Sequence, residues 1–363
     1  MGKKQLNKLC PVRFGLLGCG MIANYHARAV RGAGGILAGA CSYSGESASR
    51  FCREHYTVQY DDYASMLSDG DIDAVVVCTP SGQHAAQTIK ALRAGKHAVV
   101  EKPMCITLAE ADEIIRVSEE TGKLVCVISQ MRFAEGVRAA KLAVENGWIG
   151  KIVCASLSMQ YYRSDAYYAQ AAWRGTWAQD GGGCLMNQGI HGIDAFRYIL
   201  GPVDSLSGYI ATRTHDIEVE DTACAVLQMK NGALATLDAS TSSKPGYPRR
   251  ITICGERGSF VLEDQNIVRW DVSTPSPVRI GSDMQNAAVA DPNSLDPMVH
   301  VPQYRNFLAA LCGEESLVIG AREGREPLSI IVGIYRASIT GRVVKIDNSG
   351  VLSCRHCGTG CSE

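Results

Sequence analysis

The chain has 363 residues, 36 basic and 37 acidic side chains, a formal net charge of −1 and 46% hydrophobic residues. That length exceeds one comfortable core and predicts two domains, while the balanced charge gives neither nucleic acid nor an anionic membrane surface a reason to bind. No apolar run is long enough for a transmembrane helix, and no apolar segment follows the lysines near Met1, so neither a membrane span nor a signal peptide is expected.

From the N-terminus, residues 12–17 form a short apolar strand closed by Gly18-Cys19-Gly20, and 21–31 read as a helix. Residues 36–41, 74–78, 97–101 and 124–128 are further strands. Helical patterns separate them at 46–55, 83–94 and 109–121, the last with Thr107 as its N-cap. Near-continuous apolar strands alternating with helices predict an α/β fold, a parallel sheet covered on both faces. We assign residues 1–130 to this dinucleotide-binding, Rossmann-type domain. In such sheets ligands bind beyond the carboxyl ends of the strands.

The texture then changes. A helix over 133–146 precedes a strand over 151–160 and a glycine-led helix starting near Gly181. Alternating strands follow at 203–212, 222–229, 233–240, 249–254, 259–263 and 267–270, which predicts an open, mostly antiparallel sheet. Residues 271–297 read as a loop, and helices at 301–312 and 326–340 close a second α/β domain over 131–346. Of the 15 cysteines, Cys41, Cys78, Cys126, Cys154 and Cys254 lie in strand-like runs, which predicts buried thiols in a reducing cytoplasm. Cys354, His356, Cys357 and Cys361 crowd residues 347–363, read as a flexible tail and not as a metal site; no metal is expected.

Three local signals carry chemistry. Gly18-x-Gly20-x-x-Ala23 lies between a strand and a helix, where Gly18 makes the turn, Gly20 admits a pyrophosphate and small Ala23 permits close packing. Met21 and Ile22 open that helix beside the phosphates. The second strand ends in Ser42-Tyr43-Ser44 with no acidic residue to grip a ribose 2′-hydroxyl and no arginine for a 2′-phosphate, so NAD and NADP both stay open. Thr79-Pro80 forms a turn suited to a nicotinamide ribose, with His84 as a structural or cofactor-contacting residue. Glu101-Lys102-Pro103 closes a strand at the cofactor, where a lysine can polarise a reacting oxygen. The third signal, Gly181-Gly-Gly-Cys-Leu-Met-Asn187-Gln-Gly-Ile-His191-Gly-Ile-Asp194, adds a histidine able to move protons at neutral pH.

Together these motifs resemble the glucose–fructose oxidoreductase/inositol dehydrogenase (Gfo/Idh/MocA) family over residues 11–346. The resemblance implies that Lys102 and His191 flank a substrate hydroxyl above the nicotinamide, with Asn187 at a position usually occupied by aspartate. Asparagine carries no charge to raise a histidine's basicity. Trp173-Arg174-Gly175-Thr176-Trp177, read with Met186-Asn187-Gln188-Gly189-Ile190-His191, looks like the branch of sugar-nucleotide 3-dehydrogenases, which oxidise UDP-N-acetylglucosaminuronic acid. It implies an NAD- or NADP-dependent oxidoreductase acting on a secondary hydroxyl of a sugar, sugar acid or sugar nucleotide. Arg163, Tyr167, Tyr168, Trp173 and Arg174 are the substrate contacts expected beside Asn187 and His191, although at least one of Trp173 and Trp177 should pack between the domains. Asp194 is expected to orient backbone. The resemblance further implies a homo-dimer or homo-tetramer. Two other readings are an enzyme that recycles a tightly held cofactor and a non-catalytic dinucleotide-binding regulator, the latter having no use for a lysine–histidine pair.

Overall fold

A computed structural model describes residues 11–281 and 297–347. The cysteine tail and part of the 271–297 loop lie outside the described residues. In the first half, β1 (Arg13–Leu17), β2 (Ile36–Cys41), β3 (Val58–Gln59), β4 (Ala74–Val77), β5 (His97–Val100) and β6 (Val125–Val127) form one sheet in the order β3-β2-β1-β4-β5-β6. Every pairing in it is parallel. Ala74, Val75, Val76 and Val77 are all fully buried because helices cover both faces: α1 (Met21–Gly32), α2 (Gly45–His55), α4 (His84–Arg93) and α5 (Leu108–Thr121). Thr107 caps α5 reciprocally with Glu110, as its spacing predicts. The short β3 and α3 (Tyr63–Ser68) were not expected; two and six residues leave too little periodicity to read.

The second half opens with α6 (Glu135–Glu145) and then builds an eight-stranded sheet in the order β13-β12-β11-β7-β10-β9-β8-β14. Its strands are β7 (Ile152–Gln160), β8 (Val203–Ala211), β9 (Thr222–Met229), β10 (Leu234–Ser240), β11 (Arg250–Gly255), β12 (Gly258–Glu263), β13 (Asn266–Val272) and β14 (Val344–Lys345). Only β7–β10 pair in parallel. In β9, Ala223, Ala225, Leu227 and Met229 point inward while Cys224 and Val226 point out, the alternation of a sheet covered on one face. The covering helices are α8 (Ile190–Leu200) and α10 (Ala321–Thr340). α10 starts five residues before the expected 326, because Glu323 accepts the Gly320 N–H and so caps a turn N-terminal to Pro327.

Near its end the chain crosses back. Val301, Tyr304 and Phe307 of α9 (Val301–Leu311) join the core of Phe14 and Leu16 in β1, with Phe14 against the Tyr304 ring at 5.8 Å. A helix late in sequence therefore completes the first layer and brings Tyr304 beneath the cofactor end of the sheet.

The first residue of β5, half-buried, is a pH-sensitive group. His97 Nδ1 accepts the Leu124 N–H at 3.0 Å, and burial together with Lys123 pushes this ring from 6.5 down to about 4. A ring that stays neutral when folded but protonates when unfolded stabilises the protein above the unfolded value. That contribution is lost as pH falls from about 6.5 to 4. The unfolding temperature is expected to drop by several degrees between about pH 7 and pH 5, and less steeply in His97→Asn, which keeps an acceptor without the titration. Equal slopes for the two proteins would exclude His97 as the cause.

Candidate active site

The glycine turn forms as its spacing requires. Gly18 adopts φ +95°, its N–H donates to the Cys41 carbonyl at 2.9 Å, and a Cβ there would lie 2.8 Å from the Cys78 carbonyl oxygen. Gly20 caps α1 with nothing within 4 Å of an added Cβ, and Ala23 is fully buried against the sheet. An open, unobstructed helix N-terminus of this kind fits a pyrophosphate, so the residues present suit a dinucleotide. Gly18→Ala is expected to weaken dinucleotide binding at least ~10-fold through displacement of the turn, measurable by titration calorimetry. Ser42 and exposed Tyr43 follow β2 beside this turn, and Ser44 caps α2.

His84 holds the structural position that its place in the chain allows. It is buried, with Nδ1 2.7 Å from the Pro103 carbonyl and Nε2 2.8 Å from the Thr79 carbonyl. It ties the loop after β4, carrying Thr79 and Pro80, to the loop after β5, and leaves neither nitrogen for a cofactor.

At the end of β5 a buried relay supports Lys102. Tyr304 Oη and His26 Nδ1 share a hydrogen bond at 2.8 Å, His26 Nε2 donates to Glu101 Oε1 at 2.8 Å, and Glu101 Oε2 accepts the Lys102 N–H at 2.9 Å. Burial pushes the Glu101 carboxyl up, but the His26 bond and charge, with Lys102 and His300, outweigh it and hold the group well below the usual carboxylate range. An ionised Glu101 thus holds the Lys102 main chain, and its charge favours the ammonium. Burial lowers the Lys102 pKa, as do Arg174 and Arg163; Glu101 and Asp180 oppose that fall. The Lys102 Nζ donates to the Asn187 carbonyl at 2.7 Å.

Asn187 belongs to a wide, π-helical turn, Cys184–Gly189, that runs into α8. Glu220, buried at the start of β9, anchors this turn by accepting the Gly183 and Leu185 N–H groups at 2.9 and 3.0 Å and the Tyr335 hydroxyl at 2.9 Å. A Cβ on Gly183 would fall 1.8 Å from the Glu220 carbonyl, so only glycine fits. The turn aims Asn187 and His191 into one cleft of about 330 Å³ shared with Met21, Ile22, Lys102, Arg163 and Arg249. The His191 ring has no hydrogen-bond partner among the described residues; burial and the charge of Lys102 push it down to about 3, with Arg249 and His300 adding to Lys102 and Glu101 opposing. Its neutral form is therefore the resting form at neutral pH. The Asn187 side chain does not support the histidine: its Nδ2 donates to Asp180 at 2.7 Å. Asp194 turns away to a buried pair with Arg132 and accepts from Ser129.

The substrate contacts expected around residues 163–174 divide between two places. Arg163 lines the cleft and lies over the Tyr161 and Tyr167 rings. Tyr168 and Arg174 instead border a separate hollow of about 290 Å³, and Tyr168 pairs with Thr241 at 2.9 Å. Half-buried Trp173 stacks under the Arg174 guanidinium at 4.9 Å. The reason is helical: in α7 (Asp165–Ala169) neighbours point ~100° apart, so Tyr167 meets the cleft and Tyr168 cannot. Arg174 reaches the cleft only through Tyr167, donating to its hydroxyl at 2.6 Å. Trp177 packs edge-on against Tyr335. Residues absent from the sequence reading are His26, Tyr304, Glu220, Asp180 and Arg249; Asp180 alone had a local signal, a carboxylate directly before three glycines.

Residues 12–129 match the model described as "Oxidoreductase family, NAD-binding Rossmann fold", and residues 137–261 match the GFO/IDH/MocA C-terminal domain. The WlbA dehydrogenase of Bordetella pertussis, solved with NADH and UDP-GlcNAcA, superposes with a TM-score of 0.85 at 30% identity, covering 93% of this chain and 98% of that one. The scyllo-inositol 2-dehydrogenase (NAD(+)) of Bacillus subtilis is 30% identical over 69% of this chain and 73% of its own. Myo-inositol 2-dehydrogenase of Thermotoga maritima is 28% identical over 70% and 75%. No helix among the described residues is long and apolar enough to cross a membrane. With both halves matched and the dinucleotide turn intact, the chain belongs to the GFO/IDH/MocA family of NAD-binding oxidoreductases.

Proposed function

We propose that this protein oxidises a secondary hydroxyl of a sugar, sugar acid or sugar nucleotide, or reduces the corresponding ketone. The observation that carries the reading is one cleft holding the Lys102 ammonium and the unprotonated His191 next to the open edge of the glycine turn. When bound, the nicotinamide dinucleotide accepts or supplies the hydride. Gly18, Gly20, Met21, Ile22, Ser42, Tyr43, Thr79 and Pro80 are proposed to hold it, with Glu101 and Lys102 at its reactive end. Lys102 hydrogen-bonds the substrate oxygen and stabilises the negative charge that develops there. His191 takes the hydroxyl proton as general base, and returns it as general acid in the reverse direction. Asn187 orients that oxygen from the other side.

Arg163 and Arg249 border the cleft and favour an anionic sugar, because a guanidinium offers two parallel N–H bonds to a carboxylate or phosphate. The likeness to a dehydrogenase solved with UDP-GlcNAcA supports the same preference. A second concavity of about 670 Å³ lies on the outer face of the second sheet, beside exposed Val226, Leu234 and Val343. We propose that a second copy covers this face in a dimer or tetramer. A reducing cytoplasm is the proposed location, in keeping with the free, mostly buried thiols among the described residues. The test is formation of reduced dinucleotide with a panel of inositols, neutral sugars, sugar acids and UDP-sugars, each with NAD and NADP. Turnover restricted to anionic members is the expected outcome; a preference for neutral polyols would remove the assigned role of the arginines.

A further inference from the structure

Asp180 lies just before the glycine-led turn and is 3% exposed. Its Oδ2 accepts the Gly175 N–H at 2.9 Å and its Oδ1 accepts the Asn187 Nδ2–H at 2.7 Å. Burial pushes the Asp180 carboxyl up, while N–H donors on both oxygens and the charges of Lys102 and Arg174 favour its ionised form. The contact also decides how the Asn187 amide is turned. Only its NH₂ end can meet a carboxylate, so Oδ1 is left for the cleft that Asn187 lines. The main chain of the same residue is held from the opposite sign of charge, by Lys102 Nζ on its carbonyl at 2.7 Å. Asn187 is thus clamped between an anion and a cation.

We propose that Asp180 is a positioning residue for the reaction: it turns the Asn187 oxygen toward the cleft and supplies, behind that side chain, negative charge that balances Lys102. This deepens the dehydrogenase reading and rests on it. The charged groups acting on Lys102 are Glu101 and Asp180, which favour the ammonium, and Arg174 and Arg163, which oppose it; His191 is the further titratable ring coupled to it. Without the Asp180 charge, Glu101 alone faces burial and two guanidinium groups. The charge is also transferable. Asn187→Asp alone sets two carboxyl groups within hydrogen-bonding distance, where like charges oppose joint ionisation. Combined with Asp180→Asn, it returns the site to one carboxylate and one amide.

The test compares wild type, D180N, N187D and D180N/N187D. The titration of Lys102 is read from the pH dependence of trace acetylation at that lysine by mass spectrometry, with no sugar present. D180N is expected to lower the Lys102 midpoint by about one unit, and the double variant to bring it back. With a sugar that the wild type turns over, D180N should lose ~10- to 100-fold in kcat with little change in KM for the dinucleotide, and N187D should also lose activity. The double variant should recover most of it. An unmoved Lys102 midpoint in D180N, or a double variant no better than either single one, would overturn the proposal and leave Asp180 as part of the scaffold. Should D180N fail to fold, N187D against D180N/N187D makes the same comparison. If the midpoints shift as expected but the wild type oxidises no sugar, the hold of Asp180 on Lys102 stands and the dehydrogenase reading falls.

Discussion

Lys102→Ala is expected to lower turnover about 10³-fold while dinucleotide affinity stays within a few-fold, a loss typical of removing a single donor to a developing oxyanion. The side chain reaches the cleft at a fixed place because three elements hold it: the end of β5, the Glu101–His26–Tyr304 relay beneath it and the Asn187 carbonyl in front. The dinucleotide turn shares none of these contacts, so binding survives the change. Lys102→Arg should be almost as inactive, since a planar fork cannot take the place of a compact ammonium at this carbonyl. Turnover measured beside calorimetric dinucleotide titration checks both variants. Activity within tenfold of wild type in Lys102→Ala would exclude the lysine from the chemistry.

The second large effect concerns His191. Its replacement by alanine should cost ~10²- to 10⁴-fold in turnover, the usual worth of a positioned acid or base. The pH dependence is the sharper consequence. With burial and Lys102 pushing the ring down to about 3, the neutral form dominates at and below neutral pH. The oxidation direction, which needs the free base, should show no loss of rate near the ordinary histidine value of about 6.5. Ketone reduction needs the imidazolium, so its rate should climb as pH falls, by about tenfold per unit while that form stays scarce. Rates in both directions between about pH 8 and pH 6 decide the matter. A reduction rate flat across that interval would mean that the ring does not deliver the proton.

The parts of this site that were legible in sequence are those fixed by local spacing. Gly18, Gly20 and Ala23 sit between a strand and a helix, and Lys102 ends a strand. His191 follows three glycines, of which Gly182 packs against Tyr335 and Gly183 against Glu220 at the start of its turn. The supporting residues were illegible because topology, not spacing, delivers them. Tyr304 reaches His26 across 278 residues by way of α9, a helix that reads as part of the second domain and packs in the first. Glu220 looks like one acid in a loop and proves to be the anchor of the turn that carries Asn187. Tyr168, Trp173 and Arg174 are named from residue type, and the structure places them outside the Lys102–His191 cleft. Their types suit a sugar, yet Tyr168 and Arg174 border a different hollow, and Trp173 stacks on the Arg174 guanidinium. His84 similarly has the chemistry of a ligand and the geometry of a strap.

Transfer of a label tests the central claim most directly. A sugar that the protein oxidises, deuterated on the carbon bearing the reacting hydroxyl, is turned over with unlabelled oxidised dinucleotide, and the reduced dinucleotide is weighed by mass spectrometry. Direct hydride transfer in the Lys102–His191 cleft predicts that the reduced dinucleotide carries the deuterium. Unlabelled reduced dinucleotide, with the deuterium lost to water, would contradict it and point instead to proton abstraction from carbon.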